Sequence, residues 1–294
     1  MAKTVAWLLV ALLIIGSGQQ SAAQPTEPKF DIESVAMPVG VGLPNGKPVD
    51  ILGLYTGMTA TDALPILREH YREQPRNKLS VSELRLPYSK ASYVAFARNG
   101  LGGDRSYDLL AIAASSNASG NQVVNIIREV RYAPGSEANT EETIASIIGK
   151  YGRPSSRRDD GERGGMLSYG YKDGTIVEAE HACVALNDVL GISLNSQWLT
   201  GEGWYGTLVG AAKTNLTGNY YSDDGQRCSA YMGIRIETAL QNGQYNKNAI
   251  RNLYFVFFDA ARFIFANNRD VAAQKELTEK ARASAPAGKG APKL

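Results

Sequence analysis

The chain has 294 residues, 44% of them hydrophobic and 20% charged, with 31 basic side chains against 29 acidic ones. A balance this close to neutral argues against a dedicated nucleic-acid binder, which concentrates Lys and Arg to match phosphates. The length suffices for one large domain or for two of ordinary size.

The N-terminus carries the first signal. Lys3 is followed by an uncharged apolar run from Val5 to Ile15, a polar stretch, and Ser21-Ala22-Ala23. Small residues then stand at the −3 and −1 positions of a cut after Ala23, the layout of a secretory signal peptide over residues 1–23. An uncleaved anchor is the rival reading, but a membrane-spanning helix needs about 20 apolar residues and this run is about half that. After cleavage no stable membrane span is expected, and the location read from this layout is periplasmic or secreted. Residues 24–50 form a lead-in, with Asn45-Gly46 as a hairpin turn signal between Val39-Gly40-Val41 and Val49-Asp50-Ile51.

A helix start then occurs twice. Thr59 and Asp62 complete a capping box, and Leu64, Leu67 and Tyr71 fall on one helical face. Eighty positions on, Asn139 and Glu142 take the same two roles, and Ile144, Ile147 and Tyr151 the same apolar positions. Pro65 fits poorly inside the first helix and is expected to kink or delay it. Strand-like runs follow the first helix at 79–86, 91–98, 106–114 and 122–132. After the second they lie at 165–172, 175–186, 228–238 and 250–259, with Asp173-Gly174 as a hairpin dipeptide. A helix is expected over 260–283 and a disordered tail over 284–294.

The fold class is therefore α+β. It is read as two tandem modules, 51–134 and 135–283, each a helix packed on a roughly four-stranded antiparallel sheet, plus the C-terminal helix. One sheet face is expected under the helices and the other free. In 228–237, Cys228, Ala230, Met232, Ile234 and Ile236 alternate with Ser229, Tyr231, Gly233, Arg235 and Glu237, the apolar-in, polar-out pattern of a half-buried strand. The run 250–259 is apolar on both sides and expects cover on both.

The stretch Gly57-Met58-Thr59, Asp62-Ala63 and Leu67, with Ile144, Ile147, Tyr151-Gly152 and Pro154-Ser155 in and after the second helix, resembles the beta-lactamase-inhibitor-protein-like and SmpA/OmlA-like envelope modules. The resemblance spans about residues 50–260. It implies a helical segment packed on a four-stranded antiparallel sheet, and a role in binding other proteins or assisting envelope assembly, with no catalytic residues to transfer. The chain departs from the lipoprotein members in having no cysteine after its apolar run.

Chemistry-bearing motifs are sparse. Gly191-Ile192-Ser193-Leu194-Asn195 lacks the last glycine of a nucleophile elbow, and no phosphate-binding loop occurs. His70 suits a helix end, and His181 with Glu180 and Cys183 falls short of the three or four ligands a zinc site needs. No cofactor and no metal are expected. In an oxidising compartment Cys183 and Cys228 are read first as a disulfide, the alternative being two separate buried thiols. Residues 196–222 hold Trp198, Trp204, Tyr205, Tyr220 and Tyr221 in a Gly- and Thr-rich segment. These rings either close a core under a long connection or form a recognition loop. The leading expectation is a non-catalytic protein that binds another envelope or secreted protein, using this loop with Tyr231 and Arg235 on a free sheet face. The alternatives are a secreted hydrolase with a carboxylate pair, and a small-ligand carrier with its site between the modules.

Overall fold

The computed structural model describes residues 28–37, 48–71, 79–103, 105–172, 174–177 and 228–284. The chain runs through β1 (Asp50–Ile51), β2 (Leu54–Tyr55), α1 (Ala60–His70), β3 (Ser80–Arg85), β4 (Ser92–Gly102), β5 (Tyr107–Ala114) and β6 (Val123–Arg131). Then come β7 (Ala138–Asn139), α2 (Thr140–Tyr151), β8 (Ser156–Asp159), β9 (Gly164–Lys172) and β10 (Thr175–Ile176). The last elements are β11 (Ala230–Gln241), β12 (Gln244–Asp259) and α3 (Ala260–Ser284). The class is α+β, as the patterning predicts.

Both helix starts are held as expected. Thr59 Oγ1 accepts the amide of Asp62 at 3.1 Å, and Asn139 Oδ1 accepts that of Glu142 at 3.0 Å. Each side chain satisfies an amide that the first helical turn leaves without a partner. Pro65 lies inside α1 without delaying it, since the helix already starts at Ala60. Leu67 of α1 and Tyr71 at its C-terminal cap, with Ile147 and Tyr151 of α2, are buried in one main apolar cluster.

Ten of the twelve strands among the described residues, β3 to β12, belong to one antiparallel sheet in the order β10-β9-β11-β12-β6-β5-β4-β3, with β7 beside β12 and β8 beside β9, while β1 and β2 pair with each other. Strands from 51–134 and from 135–283 are joined by the pairing of β6 with β12, from Arg131↔Asn252 to Asn125↔Phe258. The join is thus a strand pair. The short hairpin seen near the N-terminus turns at Leu52-Gly53, both at positive φ, and pairs Ile51 with Leu54. The expected turn at Asn45-Gly46 lies outside the described residues.

One sheet face carries Tyr169, Met232, Phe257, Ile126 and Ile112 in register, all in the main cluster with α1 and α2. The opposite face differs from expectation, because it is not free along its length. Tyr254 and Val256 are buried there with Ile127 and Met166, and Phe258 meets Phe263 of α3 with ring centroids 5.5 Å apart. The double cover expected for 250–259 is therefore present from Leu253 to Phe258.

The start of α3 is locked by a buried knot. Asp259 Oδ1 accepts the amide of Arg262 at 2.9 Å, its Oδ2 meets Arg262 Nε at 3.2 Å, and the two side chains are 4% and 1% exposed. Arg262 Nη1 also donates to Met37 O and to Gln122 Oε1, so one guanidinium ties the N-terminal segment and the residue just before β6 to α3. Farther along α3, Asp270 accepts from the hydroxyls of Ser116 and Ser119. Among the described residues no helix is long and apolar enough to cross a membrane.

Candidate functional site

The second sheet face opens at one end, and the strand registers bring a polar strip together there. Gly164, Glu237, Asn252, Arg131 and Tyr107 stand side by side on five neighbouring strands. One step inward the row is Met166, Arg235, Tyr254, Glu129 and Leu109. Residues directly opposite in antiparallel pairs share a face, so both rows project to the same side.

The polar side chains of the strip contact one another. Arg235 Nη2 meets Glu237 Oε1 at 2.8 Å, and Glu237 Oε2 accepts from Asn252 Nδ2 at 2.8 Å and from the Tyr254 hydroxyl at 3.4 Å. Arg131 Nε donates to Asn252 Oδ1 at 3.0 Å, and its guanidinium lies 4.8 Å from the Tyr107 ring centroid. The Tyr107 hydroxyl donates to Glu129. Glu129 is 2% exposed, and burial raises its carboxyl above the ordinary value against the lowering effect of Tyr107 and Arg131. Burial, with the nearby carboxylates, likewise pushes the phenols of Tyr107 and Tyr254 up, so both remain proton donors at neutral pH.

Beside the strip lies a cleft of about 880 Å³, lined among others by Glu137, Arg163, Arg235, Glu237, Tyr245 and Arg251. One wall is the projecting end of the β11–β12 hairpin, which turns at Asn242-Gly243 with both residues at positive φ. That is the backbone a two-residue hairpin loop requires. Leu240 and Tyr245 face each other across this hairpin, 60% and 40% exposed, and Arg163 lies over the Tyr245 ring at 5.8 Å. Arg251 is fixed at the base of the cleft by donating to the carbonyls of Tyr132 and Arg105.

Of the residues expected at a binding surface, Arg235 lies on the strip with a side chain 36% exposed. Tyr231 does not. It is 2% exposed, its hydroxyl donates to Ser168 Oγ at 2.9 Å, and its ring lies against Gly233, where a Cβ would come within 3.1 Å of it. Polar-out alternation misassigned it because a tyrosine at an "out" position can fold down over a neighbouring glycine and still satisfy its hydroxyl. Trp198, Trp204, Tyr205, Tyr220, Tyr221 and Cys183 lie outside the described residues; Cys228 is buried at 3% exposure. His70 packs edge-on against Tyr71.

The residues that sequence reasoning missed are Tyr107, Glu129, Arg131, Tyr245 and Asn252. Asn242-Gly243 was the available signal, since it marks a hairpin reaching well past residues 238 and 250. The convergence of Arg131 with Asn252 had none, because it depends on the register between β6 and β12. Among the described residues no group of three or more His, Cys, Asp or Glu is placed to hold a metal ion. Comparison with family models, with curated proteins and with solved structures finds no match for this chain.

Proposed function

We propose that this is an exported envelope protein that binds another protein non-catalytically, through the β11–β12 hairpin end and the polar strip beside it. The observation that carries the reading is the exposed Leu240–Tyr245 pair overhanging a cleft edged by Arg163 and Arg235. Tyrosine and arginine dominate the energetics of protein interfaces, and an exposed apolar pair rimmed by polar groups is a frequent mark of one. Export rests on the layout of residues 1–23, and the resemblance to envelope modules points the same way. Within this reading the two helix-plus-strands segments are tandem modules whose sheets merge through β6 and β12. A Cys183–Cys228 disulfide holds the connection between β10 and β11.

Two experiments test this. A photo-crosslinking residue at the exposed position 244 in cells should capture one protein that is lost when Leu240→Ala and Arg163→Ala are added, and kept when Val271→Ala is added instead. Capture indifferent to those changes would overturn the binding reading. For the disulfide, thiol titration of the denatured chain without reductant should detect no free thiol. Reduction should lower stability by about 4 kcal/mol for a loop of this size.

A second reading is supported by Glu137 and Glu237 both lining the cleft. Two carboxylates across a cleft are the usual machinery of glycoside hydrolysis. Turnover of a glycoside that disappears in Glu237→Gln, with the fold intact, would favour it over binding alone.

A further inference from the structure

We propose that β3 is a self-pairing edge, at which two copies of this chain join antiparallel about a twofold axis through Leu84. The two edges of the sheet differ. On one side, the outer flank of β9 is taken by β8 along 165–168 and by β10 along 171–172. On the other, β3 pairs only with β4 among the described residues. Five of its six residues are exposed, including Val81 at 38% and Leu84 at 44%. The register shift in this pair falls on β4, where Ala95 is passed over between Val94 and Phe96, so β3 itself runs regularly. It contains no proline, and an exposed regular edge of this kind is a template for another strand.

Charge selects the occupant and the register. Glu83 and Arg85 flank Leu84 and project to the same face, since side chains alternate along a strand. A twofold axis at Leu84 puts Glu83 opposite Arg85 of the second copy and Arg85 opposite its Glu83, with Leu84 beside its own equivalent. An axis at Glu83 would oppose that carboxylate to itself, and one at Ser82 would set Glu83 against Val81. Arg85 makes no ion pair among the described residues, and Glu83 uses only Oε2, to accept from Ser92 Oγ at 2.8 Å.

The test is sedimentation velocity on the full chain over a concentration series, with circular dichroism to show that each variant folds. The wild type should show a concentration-dependent monomer–dimer equilibrium. Glu83→Arg and Arg85→Glu should each weaken it about tenfold or more, because like charges then stand opposite each other at two positions. The double exchange should restore it, and an equimolar mixture of the two single variants should form heterodimers. A wild type that stays monomeric up to about 1 mM overturns the proposal. So do single reversals without effect, or a double exchange that fails to restore pairing. In those outcomes β3 is left to a strand from a different protein or to none.

Discussion

At the C-terminal end of β12, Asp259 holds Arg262 in a site where both side chains are at most 4% exposed; midway along the strand, Asn252 and Tyr254 contact Glu237, which also meets Arg235, beside an open cleft. The two sites, at Asn252 and Asp259, lie about 23 Å apart at the usual rise per strand residue. Both are arginine–carboxylate networks on one strand, yet they differ in what they touch. The Arg262 network reaches four chain segments, through Met37, Thr56, Gln122 and its own helix, and Thr56 and Gln122 are buried with it. The Arg235 network keeps its members on the sheet and leaves Arg235 and Glu237 36% and 26% exposed. A buried charge pair holds segments together and fails severely when one member goes, whereas an exposed one contributes little to stability and remains available to a partner.

The largest effect should come from breaking the closed end. Arg262→Ala leaves Asp259 buried without its counter-charge and is expected to cost about 3–5 kcal/mol in urea denaturation. A loss no greater than that of a surface change, about 0.5 kcal/mol, would show that the two sites do not differ as described.

A middle-sized effect should come from the strip's inner boundary, where the sheet face changes from covered to open. Gly233→Ala places a methyl group 3.1 Å from the Tyr231 ring, which already lies against the sheet. Overpacking there is expected to cost about 1–3 kcal/mol. Tyr231→Ala added to Gly233→Ala should remove the clash while losing the ring's own burial. A double-mutant cycle with no coupling between the two would break this account of why Tyr231 is inside.

How far these differences were legible in the sequence follows from the range of the interactions. Thr59 with Asp62, and Asn139 with Glu142, lie within one helical turn, and the helix starts they predict are where the structure has them. Strand runs were legible because apolar alternation reports burial of a face. Arg262 was not, since an arginine near the start of a helix looks solvent-facing and its partners lie 140 and 225 positions away. The strip fails for the same reason: Arg131 and Asn252 are 121 positions apart, and only the β6–β12 register brings them together. Pro65 shows the reverse case, where a local rule overstated a disruption that packing of Leu67 and its neighbours overrides.

Glu129 sharpens the comparison through pH. Its carboxyl is raised above the ordinary 4.5 by burial, so the folded chain holds that proton more tightly than the unfolded chain does. Its contribution is fullest below 4.5 and is lost as pH rises through the folded value, because the folded state binds more protons across that window. Melting temperatures of wild type and Glu129→Gln from about pH 4 to about pH 8 should diverge accordingly, the variant being relatively favoured at the higher pH. Parallel curves would mean that the strip relieves the charge of Glu129 as fully as water does.

The smallest effect on stability should come from the hairpin end. Leu240→Ala and Tyr245→Ala remove side chains that are 60% and 40% exposed, so each should change stability by about 0.5 kcal/mol or less. If the open end of β12 is an interface, the same two changes should abolish partner capture while the unfolding curve stays in place. The Arg262 variant should lose both together, because its defect is in the fold. That separation is the decisive point: a strip whose residues prove as costly to remove as Arg262 would be a second structural lock, and the contact surface would then have to be sought elsewhere on the sheet.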